Sequence, residues 1–195
     1  MLSIIGCGGH ARSVADVILA NGDNFLCFVD NNARPDEVIY GHPVLTTLPS
    51  EATRFHIAIG DNRRRSELAL CYNTLQYSSV IASTATHGFQ ITIASGCFIA
   101  HRVHLGPETQ IEEGTIINTG SVIEHEVSIG SFCHIAPHST ICGRTRIGHN
   151  VFIGAGSVII DNISICDNVV IGANSTVIKN IDQPGVYIGS PVQRQ

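Results

Sequence analysis

The sequence predicts a chain in two parts, a small α/β unit over residues 1–82 followed by a parallel β-helix over residues 83–195. Three observations predict it. Aliphatic residues recur at every sixth position from Ile93 to Val177, strand-like and helix-like stretches alternate over the first eighty residues, and a glycine-rich turn joins the first strand to the first helix.

At the N-terminus "SIIG" reads as a buried strand, "GCGGHA" as a tight loop and "RSVADVILAN" as an amphipathic helix. "FLCFVD" reads as a second strand ending at Asp30, "HIAIGDN" as a third strand and "RRRSELALCYNTL" as the helix after it. Such βαβ alternation implies a small parallel sheet of Rossmann-like type. Gly6, Gly8 and Ala11 fit G-x-G-x-x-A, and Asp30 stands where a ribose-binding acid would end the next strand. Glycines there let backbone approach phosphates at a helix N-terminus, although a tight strand-to-helix turn would use them equally well. Eighty residues supply half of a dinucleotide fold, so a single nucleotide suits this unit better than a nicotinamide dinucleotide. The run Arg63-Arg64-Arg65 opens a helix and is expected to form a solvated face, with phosphate contact as the alternative.

The second part rests on an unbroken count. Fifteen aliphatic positions, from Ile93 through Ile123 and Ile153 to Val177, are six apart, and two residues before each stands a small or β-branched residue such as Cys97, Thr115, Ser121 or Val151. A period of six fits neither a helix nor an alternating strand. It fits the hexapeptide left-handed β-helix, in which short strands and corners wind a three-sided prism, three hexapeptides to a coil and about five coils in all. Gly, Asn and Asp after the aliphatic position suit tight corners. Stacked coils need caps: the first unit is expected at one end, and "KNIDQPGVYIGSPVQRQ" at the other.

The chain is 44% hydrophobic and 14% charged, enough for a real core, and its formal charge of −5 disfavours nucleic acid and membrane surfaces as partners. The segment "MLSIIGCGGHARS" lacks the basic region of a signal peptide. Seven dispersed cysteines without a C-x-x-C pair are the usage of a reducing compartment, so a cytoplasmic location is expected, with Cys97 and Cys133 in the core.

One short stretch carries chemistry. In "SVIEHEVSIG" Ile123 points inward, so Glu124 should point outward and His125 should fall at a corner beside Glu126. An imidazole there suits proton abstraction, and a carboxylate on its other nitrogen would fix the tautomer. From the residues alone, a corner histidine with a local hydrogen bond is an equal reading. His101, His104, His138 and His149 are expected at corners or on the surface without a role.

"IIGCGGHA", "FVDN", "AIGDN", "NTGSVIEHEVSIGSFCHIAP" and "GVYIGSPVQ" together span the chain. In them the chain resembles the sialic acid O-acetyltransferase (NeuD-type) family, and within it the bacterial acetyltransferases acting on UDP-4-amino sugars. The resemblance implies a homotrimer, acetyl-CoA bound between neighbouring prisms, a sugar nucleotide held by the first unit, and no metal. It implies His125 as general base with Glu126 orienting it. His134, Ala155 and Ala173 would lie along acetyl-CoA, with Gly143 N–H facing the thioester oxygen. Gly8, Gly9, His10, Asp30, Asn31 and Gly60 would contact the sugar nucleotide. Relatives often carry two acids where this chain has Asp30-Asn31, and Gly-Asn-Asn where it has Gly60-Asp61-Asn62. Within the family the other acceptor is a sialic acid. More distant readings of the prism are a γ-type carbonic anhydrase, for which the histidine-rich coils argue, and a sugar-nucleotide sensor without catalysis.

Overall fold

The computed structural model describes residues 1–72 and 74–195. The first unit contains β1 (Leu2–Ile5), α1 (Gly9–Ala20), β2 (Phe28–Val29), β3 (Val38–Ile39), β4 (His42–Leu45), β5 (Arg54–Ile57), α2 (Asn62–Cys71) and β6 (Gln76–Tyr77). They form one sheet in the order β3-β4-β2-β1-β5-β6, parallel except for the β3–β4 pair. All four residues of β1 are buried, as a central parallel strand covered on both faces requires. The α1 helix buries Ala11, Val14, Ala15, Val17 and Ile18 on one stripe. Asp61 caps α2 by accepting the Arg64 N–H at 2.7 Å. The β3–β4 hairpin was not expected from the sequence. Its turn, Tyr40-Gly41, has φ of 52° and 80°, the positive pair of a type I′ turn. A two-residue strand and Pro43 hide it from any pattern of alternation.

The prism has three sheets, called here the first, second and third faces. The first face contains Phe98–Ile99, Ile116–Ile117, His134–Ile135 and Phe152–Ile153, the second Val122–Ile123 and Thr140–Ile141, and the third Ser128–Ile129 and Arg146–Ile147. Each strand pairs in parallel with the strand 18 residues later, as Ile117 with Ile135 and Ile123 with Ile141. Five complete coils run from Val80 to Ile165, and a sixth is closed by a bridge between Ile165 and Ile181. The first two positions of the first coil escaped the aliphatic count because His87 stands between Ile81 and Ile93. Val80–Ile81 pairs with Phe98–Ile99, so a division at 82/83 cuts into the prism: its first face starts at residue 80.

The interior follows the expected pairing of one large and one small residue. Ile99, Ile117, Ile123, Ile135, Ile141 and Ile153 are fully buried, as are Thr115, Ser121, Ser139 and Ser157. Those hydroxyls are satisfied by corner carbonyls 15 residues further on: Thr115 donates to Gly130 O at 2.8 Å, Ser121 to Ala136 O at 3.0 Å, and Ser157 to Gly172 O at 2.8 Å. Cys97 and Cys133, in the core as expected, do the same with Glu112 O and Gly148 O at 3.1 and 3.0 Å. The small inward residue thus replaces hydration that the corner carbonyl would otherwise lose. The corners turn through one left-handed residue each. Every sixth residue from Gln90 to Asn174 has φ between 52° and 69°, including Glu126, Phe132 and Arg144, types that rarely adopt it.

At the C-terminal end Gly185–Ile188 adds in parallel to Val169–Ile171, and Gln193–Arg194 folds back antiparallel on it. The first unit is not an end cap. It flanks the first face, touching Ile81 through Asn21, Phe98 through His10, Cys133 through Arg65 and Val151 through Asn62. Phe89, near the lower end, remains 77% exposed.

Candidate active site

His125 occupies the corner between the second and third faces, two residues after the fully buried Ile123. Its Nδ1 lies 2.9 Å from Glu126 Oε2, and the two side chains are 42% and 49% exposed. A carboxylate accepts, so in the neutral ring this contact selects the tautomer with the proton on Nδ1 and the lone pair on Nε2. Glu126 also faces Arg144 at 3.9 Å, and Arg144 reaches Asp161 at 3.4 Å. Gly143 lies one coil above. A Cβ there would fall 2.5 Å from His125 Cε1 and 2.6 Å from Nε2, so the ring rests on the glycine backbone. Among the described residues no backbone hydrogen bond uses the Gly143 N–H, whereas Arg144 N–H donates to the His125 carbonyl at 2.9 Å. Glu124 is half-buried beside this pair and makes no ion pair among the described residues. Ala155 and Ala173, one coil apart, are exposed on a different corner, between the first and second faces.

The residues expected at the nucleotide lie on the first unit. A cavity of about 180 Å³ is lined by Gly6, Asp30, Asn31, Asn32, Arg64 and Tyr72. Asp30 Oδ1 accepts the Asn32 N–H at 2.9 Å, which holds its carboxyl below the usual range. The Cys7 thiol is pushed up to about 11, chiefly by burial and then by its hydrogen bond with Asp30. A Cβ added at Gly8 or Gly9 would meet nothing within 4 Å, so the backbone at the start of α1 stands open. Gly60 lines a second cavity of about 340 Å³ with Asp61, Asn62, Arg63, Phe152 and Asn168, where the loop before α2 overhangs the first face.

His134 is not at the His125 corner. It lies on the first face, under the first unit, with Nδ1 3.2 Å from Gly60 O and Nε2 3.2 Å from Asn118 Nδ2. His10 joins it, ring centroids 6.1 Å apart, and packs edge-on to Phe98. Burial lowers His10 to about 3 and His134 to about 4. The sequence reading missed two members of this seam. His56 is fully buried, with Nδ1 2.9 Å from Ser78 O, and burial lowers it to about 4. Arg65, expected on a solvated face, has no exposed surface, while Arg63 and Arg64 are exposed as expected. A signal existed: Arg65 stands three residues after Asn62 and four before Ala69, on the stripe α2 turns inward. His104 bonds Thr86, His149 accepts the Ser131 N–H and His138 covers Gly120, all local roles, whereas His101 bonds Thr84 and also faces Asp16 of α1 at 3.4 Å, across the junction of the two units.

In a three-sided prism the corner between the second and third faces lies opposite the first face. His125 and the cavity at Gly60 are therefore on opposite sides of one prism. Among the described residues no group of three or more His, Cys, Asp or Glu side chains is placed to hold a metal ion. No helix among them is long and apolar enough to cross a membrane.

Both parts match known families. Residues 1–70 match the PglD N-terminal domain, and residues 108–143 and 144–179 match the bacterial transferase hexapeptide (six repeats). A curated relative, UDP-3-O-acylglucosamine N-acyltransferase of Methylococcus capsulatus, is 30% identical over 115 residues, covering 54% of this chain. The match covers 32% of that relative's length. Among solved structures, PerB of Caulobacter crescentus in complex with CoA and GDP-perosamine is 28% identical, with TM-score 0.94, over 100% of this chain and 96% of its own. A mutant of perosamine N-acetyltransferase from the same organism, with the same ligands, gives 27% and 0.95 over the same shares. The acetyltransferase domain of PglB from Neisseria gonorrhoeae, in complex with acetyl coenzyme A, is 25% identical, with TM-score 0.92, over 100% of this chain and 98% of its own. Along its whole length, then, the chain is built like nucleotide-sugar N-acetyltransferases of the hexapeptide-repeat type.

Proposed function

We propose that the protein is an acetyl-CoA-dependent N-acetyltransferase whose acceptor is the 4-amino group of a nucleotide-linked sugar, a UDP-4-amino-4,6-dideoxy sugar being favoured. The observation that carries the reading is the His125–Glu126 pair, 2.9 Å apart and seated on Gly143, in a chain of this architecture. Thioester aminolysis needs a base for the amine proton and a donor for the developing oxyanion. His125 Nε2 takes the proton as the amine attacks the acetyl carbon, and Glu126 stabilises the imidazolium. Gly143 N–H faces the oxygen as it gains charge. His125 then returns the proton to the departing thiolate, so transfer is direct and the enzyme is never acylated. Gly8, Gly9, Asp30, Asn31 and Gly60 hold the sugar nucleotide, with His10 behind them. Ala155 and Ala173 flank acetyl-CoA. His134, by contrast, is better placed to support the acceptor loop at Gly60 than the acetyl donor.

The acceptor cavity and His125 lie on opposite sides of one prism, which supports a homotrimer in which one chain presents the acceptor to its neighbour's corner. The test is thiol release from acetyl-CoA with UDP-, dTDP- and GDP-linked 4-amino sugars, and with free and CMP-linked sialic acids. Release with an amino sugar nucleotide is expected, and His125→Ala should lower kcat by roughly 10²–10⁴-fold. Release only with a sialic acid, or a His125→Ala variant near the wild-type rate, would overturn the reading.

A further inference from the structure

Arg65 is a cation with no exposed surface, and among the described residues no carboxylate pairs with it. Its fork is spent on neutral oxygens from both sides of the seam. From the first unit it takes Ile59 O at 2.9 Å, Gly60 O at 3.3 Å and Asn62 Oδ1 at 2.8 Å, and from the prism Gly114 O at 2.6 Å and Cys133 O at 2.9 Å. A planar guanidinium satisfies five such acceptors in fixed directions, which no other side chain does. Burying an unpaired charge is costly, and an apolar side chain of similar size would serve adhesion as well. The arrangement is explained by what it holds. Gly60 O accepts from both Arg65 and His134, and Asn62, which also donates to Val151 O at 3.1 Å, stands beside Gly60 in the lining of the second cavity.

We infer that Arg65 is a positioning residue for acyl transfer: it clamps the Gly60–Asn62 loop onto the first face of the prism and so sets where the acceptor's amine is presented. The inference rests on the function proposed above. In the homotrimer proposed above, the first unit of one chain presents the sugar nucleotide to the His125 corner of its neighbour, so the seam that fixes the first unit on its own prism sets where the acceptor meets that corner. Misplacement of reacting groups by about 1 Å costs on the order of 10²-fold, and because Arg65 holds the Gly60–Asn62 loop and touches none of Gly143, Ala155 or Ala173, that cost falls on the acceptor.

The experiment compares wild type, Arg65→Lys and Arg65→Ala for both substrates, with and without millimolar guanidinium. Arg65→Ala should lower kcat/KM for the amino sugar nucleotide by about 10²-fold, with the acetyl-CoA KM unchanged. Guanidinium, which fits the vacated fork, should restore much of that loss, and ammonium should not. Arg65→Lys, with its charge but not the planar fork, should fall between. If Arg65→Ala does not fold, Arg65→Lys carries the test, with about a tenfold fall expected for the acceptor alone. Equal losses for both substrates, or no distinction between guanidinium and ammonium, would reduce Arg65 to structural packing. A wild-type protein inactive on every amino sugar nucleotide would instead remove the parent reading, and this inference with it.

Discussion

Acid should open the seam between the two units, and the size of the effect follows from three histidines. His10, His56 and His134 are held neutral by burial, at about 3, 4 and 4 against 6.5 in an unfolded chain. Between those limits the unfolded chain binds protons that the fold refuses. Stability is therefore full above about pH 7, falls as pH drops through 6.5, and continues to fall until the folded groups themselves protonate near 4 and below. Each group contributes up to about 1.4 kcal/mol per pH unit. From pH 7 to pH 5 that is about 2 kcal/mol per histidine and about 5–6 kcal/mol for the three, a large share of the ~5–15 kcal/mol available to a domain. The neighbouring groups relieve it only in part: Arg65 is a cation beside all three, burial pushes the Tyr77 phenol up, and the carbonyls of Ser78 and Gly60, bonded to His56 and His134, do not offset their burial. Urea unfolding at pH 7, 6 and 5 measures the slope. His56→Phe removes one titrating group and should shrink the loss by about 2 kcal/mol, apart from its own constant effect on packing. A midpoint that stays level from pH 7 to pH 5, or a slope His56→Phe leaves intact, would refute the argument.

Other outcomes are as direct. Glu126→Gln should lower kcat less than His125→Ala does, because it keeps a hydrogen-bond partner for Nδ1, while Glu124→Gln should be near neutral; a crippled Glu124→Gln would reverse the assignment. Gly143→Ala would place a methyl 2.5 Å from His125 Cε1, so the ring must swing away and kcat should fall with the fold intact, checked by circular dichroism alongside kinetics. Thr115→Val removes the donor to Gly130 O and the acceptor for the Cys133 N–H at 3.0 Å, both buried, and should cost about 1–3 kcal/mol in urea unfolding.

The prism was legible because its rule is local and periodic. An aliphatic residue at every sixth position states which side chains face inward, and Ile123 inward places His125 at a corner without any knowledge of the rest of the fold. His87 shows the limit, since one polar residue in the ladder register of Leu105 hid the start of the first coil. The first unit was legible as β1, α1, β2, β5 and α2, whose apolar stretches are long enough to show a pattern. The β3–β4 hairpin and β6 were not, because Val38-Ile39, Val44-Leu45 and Tyr77 stand among polar residues, Gly41 and Pro43 and form no sustained apolar run. The seam was hardest to read. Burial of Arg65, His56 and His10 depends on how two separately folded surfaces meet, and no spacing along the chain encodes that meeting. Arg65 stands in a run of three arginines, and only its place on the inward stripe of α2 distinguishes it.

A coil of 18 residues makes the prism a ruler with fixed divisions. Neighbouring strands are about 4.8 Å apart, so inserting or deleting one coil shifts everything above it along the axis by that step without turning it. Six residues would instead turn it by one face, about a third of a revolution, and carry each ladder onto the wrong side. The distance from the His125 corner to the C-terminal strands can therefore change over evolutionary time only in whole steps. Any ligand lying along that edge must match its length to an integer number of them, with finer adjustment left to side chains at the corners.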